Sequence, residues 1–312
     1  MSEIGRRAAP LAVRVIPVLE VGGTHVTAAW VDPAGWTVRD VYRRDIDATA
    51  PASTLRHDFA GIAAELAAAP GSDWGVAVPG PFDYVSGIAA YTGVGKFESL
   101  YGIDVRQALL DDLAAIGAGA PRSISFINDA SAFLVGEWLT GAAQGTRRSA
   151  AITLGTGIGS AFLADGVVID SGPDVPPDAE AHLLVHLGRP LEDWVSRRAI
   201  RRNYAALTGG PEGADSVDVK EIAGLARAGD PAASALFESS FELLGGVLGP
   251  WMHRFGAEVL VLGGSISRSW DLIEKPLQQG LSASGDVTVR LAADAERSAL
   301  VGSAYPAFVR SA

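Results

Sequence analysis

The chain has 312 residues, 48% of them hydrophobic and 20% charged, which supports packed cores over roughly two domains and excludes a charge-rich disordered chain. Its 25 Lys and Arg stand against 36 Asp and Glu, a formal net charge of −11, so the surface repels phosphate backbones and no nucleic-acid partner is expected. The absence of cysteine excludes disulfides, thiolate zinc sites, iron–sulfur clusters and a Cys nucleophile.

Residues 1–12 read as a loose, mildly basic tail. Arg6-Arg7 precedes apolar residues in the manner of a twin-arginine leader, but Arg14 interrupts that run. No small-residue cleavage site separates it from Val18-Leu19-Glu20-Val21-Gly22-Gly23, which reads as a first core strand. The expectation is a cytoplasmic protein with no membrane partner. Two apolar runs from Val13 to about Val31, joined at Gly22-Gly23-Thr24, predict strand–turn–strand, and Val38–Arg43 predicts a third strand. Leu55, Phe59, Ile62 and Leu66 share one face of a helix predicted over Leu55–Ala68. Gly75–Val78 reads as a short buried strand ended by Pro79-Gly80-Pro81. Ser123–Ile127 is another strand, and Ala130–Gly141 a helix.

A second strand–turn–strand unit spans Ala150–Leu163 around Gly155-Thr156-Gly157-Ile158-Gly159. It matches the opening unit in kind, which implies two related halves. Leu191 to about Leu207 reads as one helix, and Leu183-Leu184-Val185 as strand. Asp218 three residues before Glu221 is a capping-box pattern, and Asp230-Pro231 suits the start of a long helix. Glu258–Leu262 is a buried strand stopped by Gly263-Gly264, and Ser265 opens a further helix.

Four segments carry candidate chemistry. Gly22-Gly23-Thr24 is either an ordinary hairpin turn or a phosphate cradle of successive N–H donors and one hydroxyl. Gly155–Gly159 offers the same alternatives. It lacks the Gly-Lys-Ser/Thr of a Walker loop, and a strand rather than a helix follows, which speaks against a dinucleotide fingerprint. Two such turns in one chain suit two clamps on one polyphosphate. Asn128-Asp129-Ala130 ends an apolar strand, so Asp129 is either a general base in a ligand crevice or the cap of the next helix. Gly263-Gly264 is either a tight turn or a floor for an adenine ring.

Other polar positions carry bland readings beside sharp ones. His182 and His186 could pair on a metal from a helix, or lie on a strand with no third ligand. His25 contacts a phosphate or sugar, or faces solvent from its strand. Lys96 and Glu98 close over the site, or form a solvated loop pair. Trp74, Trp138, Trp194 and Trp251 read as core, and Glu137 as facing the core or a hinge.

Taken together and in this order, the segments resemble the ROK family of sugar kinases and sugar-responsive repressors, within the actin-like, ribonuclease-H-like ATPase group. The resemblance runs from about Val13 to Ala304. Glu20-Val21-Gly22-Gly23-Thr24 stands at the family's D-x-G-G-T, and Val76–Pro81 at its strand ending in Pro-Gly-Pro. Asn128-Asp129-Ala130 with Gly136-Glu137 matches the N-D-A segment and its helix. Leu154–Gly159 matches L-G-T-G-x-G, Val261–Gly264 the adenosine segment, and Gly302-Ser303-Ala304 the usual close.

The resemblance implies an α/β fold of two actin-like (ribonuclease-H-like) domains flanking a central cleft. The smaller N-terminal domain would span 1–128 plus 298–312, and the larger C-terminal one 129–297. It implies an ATP-dependent, glucokinase-like sugar kinase with Asp129 as the base and Asn128 on the same sugar. Gly22, Gly23 and Thr24 would meet the transferring phosphate, Thr156 and Gly157 the inner phosphates, and Gly263 and Gly264 adenosine. Mg2+ would bridge phosphates, and a homodimer follows from family analogy. Three departures sit at the sugar and metal side. The opening acid is Glu20, one methylene longer than Asp, with its magnesium-water contact shifted accordingly. The E-x-G-H segment and its Cys-rich zinc loop are reduced to Glu180-Ala181-His182, so no zinc site is expected. Gly93–Glu98 lacks the usual Asn-Leu-Pro. Leu191-Glu192 through Ser196 matches L-E-x-x-x-S, which implies Glu192 as a second sugar ligand beside Glu180 and His182. The alternatives are a catalytically weak sugar-binding member and a sugar-responsive regulator. The regulator needs a DNA-binding segment, and only about 12 residues precede the first strand here.

Overall fold

The structure, a computed structural model, describes residues 15–209 and 217–311. The basic tail, Arg6-Arg7, Val13 and Arg14 lie outside them. The chain divides into two compact units: one runs through Phe126 and resumes at Ala304, and the other is Ile127–Ser303.

The first unit is built on β1 (Ile16–Val21), β2 (His25–Asp32), β3 (Thr37–Asp45), α1 (Ala52–Ala64), β4 (Asp73–Val78), the small hairpin β5 (Phe82–Asp83) and β6 (Ile88–Ala89), α2 (Val105–Ala115) and β7 (Ser123–Asn128). Its sheet has the order β3-β2-β1-β4-β7. β1 pairs antiparallel with β2 and parallel with β4. β1 and β4 are buried along nearly their whole length, as strands covered on both faces are. β3, with Arg39, Asp40, Arg43 and Arg44, is the exposed, charged edge that discourages edge-to-edge pairing. α1 buries Leu55, Phe59 and Ile62 as their spacing predicts, but it ends at Ala64 rather than Ala68. Leu66 and Ala68 stay buried in the turn that follows, where Ala67 takes a left-handed conformation that stops the helix (φ 46°).

The second unit opens with α3 (Asp129–Thr140) and continues through β8 (Arg148–Leu154), β9 (Ile158–Ala164), β10 (Val167–Val168), β11 (Val185–His186), β12 (Arg189–Pro190), α4 (Glu192–Val195), α5 (Arg197–Leu207), α6 (Val219–Arg227), α7 (Pro231–Phe255), β13 (Val259–Gly263), α8 (Trp270–Ser282), β14 (Thr288–Leu291) and α9 (Ala295–Ser311), whose last turns belong to the first unit. Its sheet has the order β10-β9-β8-β13-β14, with β8 antiparallel to β9 and parallel to β13. Both sheets therefore share one plan, in which a glycine-turn hairpin is extended by a parallel strand on the side of its first strand. The capping box of α6 forms with both of its bonds, and Asp230 caps α7.

The helix expected over 191–207 is two helices. Ser196 is extended (φ −72°, ψ 163°) and its Oγ accepts from the Ala199 amide at 3.2 Å, so it caps α5 and ends α4. Residues 183–185 are not a strand either: Ala181–Leu183 forms one 3-10 turn, and β11 begins only at Val185. Among the described residues no helix is long and apolar enough to cross a membrane.

α3 is docked on the first turns of α9. The Glu137 carboxylate, 1% exposed, accepts from Ser298 Oγ and from the Ala142 amide, each at 2.6 Å. A β-carbon at Gly302 would collide with the Ala132 carbonyl, so the two backbones touch. At its far end α9 is tied into the first unit, where Ser311 Oγ donates to Asp73 at 3.0 Å. Burial favours the neutral form of Asp73, but hydrogen bonds from Arg122, Ser123 and Ser311 outweigh it and bring the carboxyl down from 3.8 to about 2. A carboxyl whose folded value is depressed stabilises the fold above its unfolded value and loses that contribution as it is protonated. The stability gap between the wild type and Asp73→Asn should therefore be constant above about pH 4 and shrink as pH falls toward 2. Melting curves across that range check it, and a pH-independent gap would contradict the assignment.

Candidate active site

In the first unit the candidate residues lie on the turn between β1 and β2. The Gly22 amide donates to the His25 carbonyl at 2.9 Å and closes the turn, and the Ile46 amide donates to the Thr24 carbonyl at 2.9 Å. Gly23 and Thr24 are exposed, and no atom lies within 4 Å of where a β-carbon on Gly23 would stand. Glu20 near the end of β1 is half-buried. His25 does not face solvent as a strand residue: its side chain is 19% exposed, with Nε2 3.8 Å from Glu20 and Nδ1 3.2 Å from Thr24 Oγ1.

The second unit carries more of the candidate residues. Asn128, not Asp129, caps α3: its Oδ1 accepts from the Ala130 amide at 3.0 Å and from the Ser131 amide at 3.1 Å. Asp129 is thereby the first helical residue, half-buried, with Oδ1 2.9 Å from the Ala130 amide. A carboxylate in the first turn also lies at the positive end of the helix dipole. The β8–β9 turn comes close to this point, because a β-carbon on Gly159 would stand 3.1 Å from that of Ala130. The Gly155 amide donates to the Gly157 carbonyl at 3.0 Å, and the Arg197 amide at the start of α5 donates to the Gly155 carbonyl at 3.0 Å. Thr156 is exposed at the tip.

Glu192 opens α4 under this turn. Its Oε2 accepts from the Ile158 amide at 3.4 Å and would lie 2.8 Å from a β-carbon on Gly157. Glu180 and His182 flank Ala181, with His182 Nε2 3.9 Å from the Glu180 carboxylate. Their segment is pinned to β9 by Ser160, whose Oγ donates to the Ala179 carbonyl at 2.6 Å and accepts from the Ala181 amide at 2.8 Å. His186 sits with its ring edge-on to Trp194, 5.6 Å between centroids. Gly263 and Gly264 end β13, in parallel register with β8, so both strands deliver their carboxyl ends to one edge of the sheet. Gly264 is left-handed (φ 88°), and its α-carbon lies against the backbone of Leu154.

The second unit thus gathers Asp129, Asn128, the glycine turn, Glu192 and Gly264 at one sheet edge, while Glu20, Gly22, Gly23 and Thr24 form the turn of the first unit. Sequence reasoning missed Ser160 and the contacts of His25. Ser160 carried a signal, as a hydroxyl on an otherwise apolar strand. His25 carried one only through its place beside the turn. Glu98, expected in a loop pair or a closing loop, accepts from the Gly95 amide at 2.9 Å. Trp74 is fully buried, and Trp138, Trp194 and Trp251 are half-buried.

Two units with the same strand order and glycine-turn hairpins define an α/β protein of actin-like, ribonuclease-H-like architecture. The chain belongs to the ROK family, whose profile matches residues 17–175 and 187–307. It is 27% identical over 283 residues to a glucokinase of Thermotoga maritima, covering 84% of this chain and 85% of that one. Its structure resembles the ROK hexokinase of Thermus thermophilus (TM-score 0.77, 24% identity, 95% of this chain and 99% of that one). It also resembles a ROK family glucokinase of Streptomyces griseus solved with glucose and AMPPNP (TM-score 0.70, 22% identity, 93% and 98%).

Two glycines at the site separate a rigid contact from a soft one. Gly264→Ala combines a left-handed backbone with a clash against Leu154 main chain, and should cost about 2–3 kcal/mol in chemical denaturation. Gly157→Ala meets only the mobile end of Glu192 and should stay within about 0.5 kcal/mol of wild type. Equal losses at the two positions would show that this reading of the turn is wrong.

Proposed function

We propose that this protein is an ATP-dependent sugar kinase that transfers the γ-phosphoryl group to a hexose hydroxyl. The observation that carries the reading is the start of α3: a half-exposed carboxylate, fixed by the Asn128 cap, beside a glycine turn able to hold phosphate. Phosphoryl transfer asks for positioning and charge neutralisation rather than covalent catalysis, and these are what such groups supply. Asp129 takes the proton from the sugar hydroxyl as its oxygen bonds to phosphorus and the bond to ADP breaks. Asn128, whose Oδ1 caps α3, turns its amide donor to the same sugar. Glu180, His182 and Glu192 bind other hydroxyls. Their mix of acceptors and donors suits a polyol, and Ser160 holds the Glu180–His182 segment in place.

Thr156 and Gly157 hold the inner phosphates, Thr24 with Gly22 and Gly23 the transferring one, and Gly263 and Gly264 lie beside adenosine. Among the described residues no group of three His, Asp or Glu is placed to cage a metal. The hard oxygen of Glu20 fits a magnesium ion held mainly by phosphates and water, and would take one of those waters. Bound there, the ion would neutralise phosphate charge. The family resemblance, the relatives named glucokinase and the neighbour holding glucose and AMPPNP support the reading; glucose or a close hexose is the first acceptor to test.

Coupled ADP release over a panel of sugars tests it. Asp129→Ala should lower kcat by about 10²–10⁴-fold while sugar binding by calorimetry remains measurable. Near-wild-type turnover in that variant would remove Asp129 as the base. Sugar binding without turnover in the wild type would instead favour a sugar-binding member that has lost the reaction.

A further inference from the structure

The loops at the amino end of β8 hold chemistry that none of these roles uses. Trp138 in the last turn of α3, Gln144, Thr146 and Arg147 in the chain leading into β8, and Asp165 in the β9–β10 turn line one shallow groove of about 500 Å³. That volume lies within the roughly 300–1,000 Å³ of small-molecule sites. The walls are tied to one another. Trp138 Nε1 donates to the Thr146 carbonyl at 3.1 Å, Thr146 Oγ1 to the Ala143 carbonyl at 2.7 Å, and the Asp165 amide to the Arg147 carbonyl at 2.7 Å. The groove is remote from the site described above. β8 has seven residues, so at about 3.3 Å per residue its two ends lie about 20 Å apart, with the glycine turn at the far one. Asp129 likewise stands at the opposite end of α3 from Trp138.

We propose that this groove is a saccharide-binding site, separate from the one that presents the acceptor hydroxyl. The indole N–H is spent on Thr146, so what the ring brings to the groove is carbon surface, on which the C–H face of a pyranose can pack. Arg147 and Asp165 are exposed, and among the described residues neither side chain has a hydrogen-bond or ion-pair partner; the Glu258 carboxylate acts on the guanidinium only through space. A guanidinium offers donors and a carboxylate acceptors, so together they match hydroxyls, which are both. A small anion would meet Asp165 and a small cation Arg147, whereas an uncharged polyol finds favourable partners in each. Gln144, whose Nε2 is held on the Leu139 carbonyl at 3.3 Å, adds an amide carbonyl at the rim. Gly145 is left-handed (φ 81°), with no atom within 4 Å of where a β-carbon would stand, so the backbone leaves room for a ligand.

The groove does not depend on the kinase reading, and its occupancy is read without turnover. Trp138 has its own indole N–H resonance in the isotope-labelled full chain, identified by its loss in Trp138→Phe. Titration with glucose and, separately, with maltose should shift that resonance saturably for at least one of the two, with a Kd on the order of millimolar. Arg147→Ala and Asp165→Gly should each weaken that binding about tenfold, as the loss of a hydrogen bond to a charged group does. Glycine suits the left-handed backbone at Asp165 (φ 49°), so the second variant removes the carboxylate without straining the turn. The kcat and the sugar KM of both variants should stay within about twofold of wild type.

A shift that keeps its midpoint in either variant would originate elsewhere in the molecule and overturn the proposal. So would the absence of a saturable shift up to sugar concentrations on the order of 100 mM. Leucine, a zwitterion whose two charges could also pair with Arg147 and Asp165, is the control: a response to leucine and to neither sugar would overturn the saccharide assignment. If the wild type turns over no sugar, the kinase reading fails, and the Trp138 titration still decides the groove. Should Trp138→Phe not fold, assignment of the indole through the backbone carries the same comparison.

Discussion

One side-chain oxygen sets the start of α3. Asn128 leaves β7 in an extended conformation, and its Oδ1 accepts from the Ala130 and Ser131 amides, which lie in the first turn of α3 and have no helical partner. The strand can then turn into a helix within one residue. Asp129 becomes the first helical position, and a carboxylate stands where strand, helix dipole and glycine turn converge. With Asn128 as the cap, the Ala130 amide lies between Asn128 Oδ1 and Asp129 Oδ1, and the acid keeps a half-exposed position.

The rest of α3 holds that start in place. Glu137 is buried, and its two oxygens are met by a hydroxyl and an amide. An uncompensated buried carboxylate costs several kcal/mol, so this pairing is specific to the docking of α3 on α9. The backbone contact at Gly302 removes any slack between the helices. At the other side of the site the same logic recurs, with Ser160 fixing Ala179–Ala181 and the Arg197 amide fixing Gly155. The polar groups of the second unit are held by backbone hydrogen bonds from elements that are themselves packed, which is what a reaction relying on position requires.

Much of the fold was legible because it is written in short-range signals. The two glycine-turn hairpins, the buried strand before Pro79, the capping box at Asp218 and the cap at Asp230 each rest on neighbouring residues. The doubled sheet plan followed from seeing the same hairpin twice. What escaped was decided at longer range or by one side chain. α2 mixes apolar and acidic residues at Leu109–Leu113, and its cap at Asp104 is the clearest local mark. The break at Ser196 hides inside a pattern continuous across 191–207, because nothing in the apolar spacing reveals that a serine will cap rather than continue. The order of site segments was readable, but the Glu192 contact with Ile158 and the His25 contact with Glu20 depend on how the chain returns.

The segment between Glu180 and Glu192 shows how one departure in sequence is absorbed by packing. The family resemblance places a Cys-rich zinc loop here, and this chain has no cysteine to build it. A short hairpin, β11 with β12, stands in its place, and Trp194 is its anchor. The indole Nε1 donates to the His186 carbonyl at 3.3 Å, the His186 ring meets its edge, and the Arg189 guanidinium lies 4.7 Å from the ring centre. The Leu191 amide closes the segment on the Leu184 carbonyl at 2.7 Å. A metal cross-link holds a loop by a few strong bonds, whereas an aromatic ring does so through area, one hydrogen bond and a cation over its face. The second solution requires no thiolates, and it leaves His182 and His186 on different partners: His182 beside the Glu180 carboxylate, and His186 against Trp194. The separation of the two histidines follows from the tryptophan.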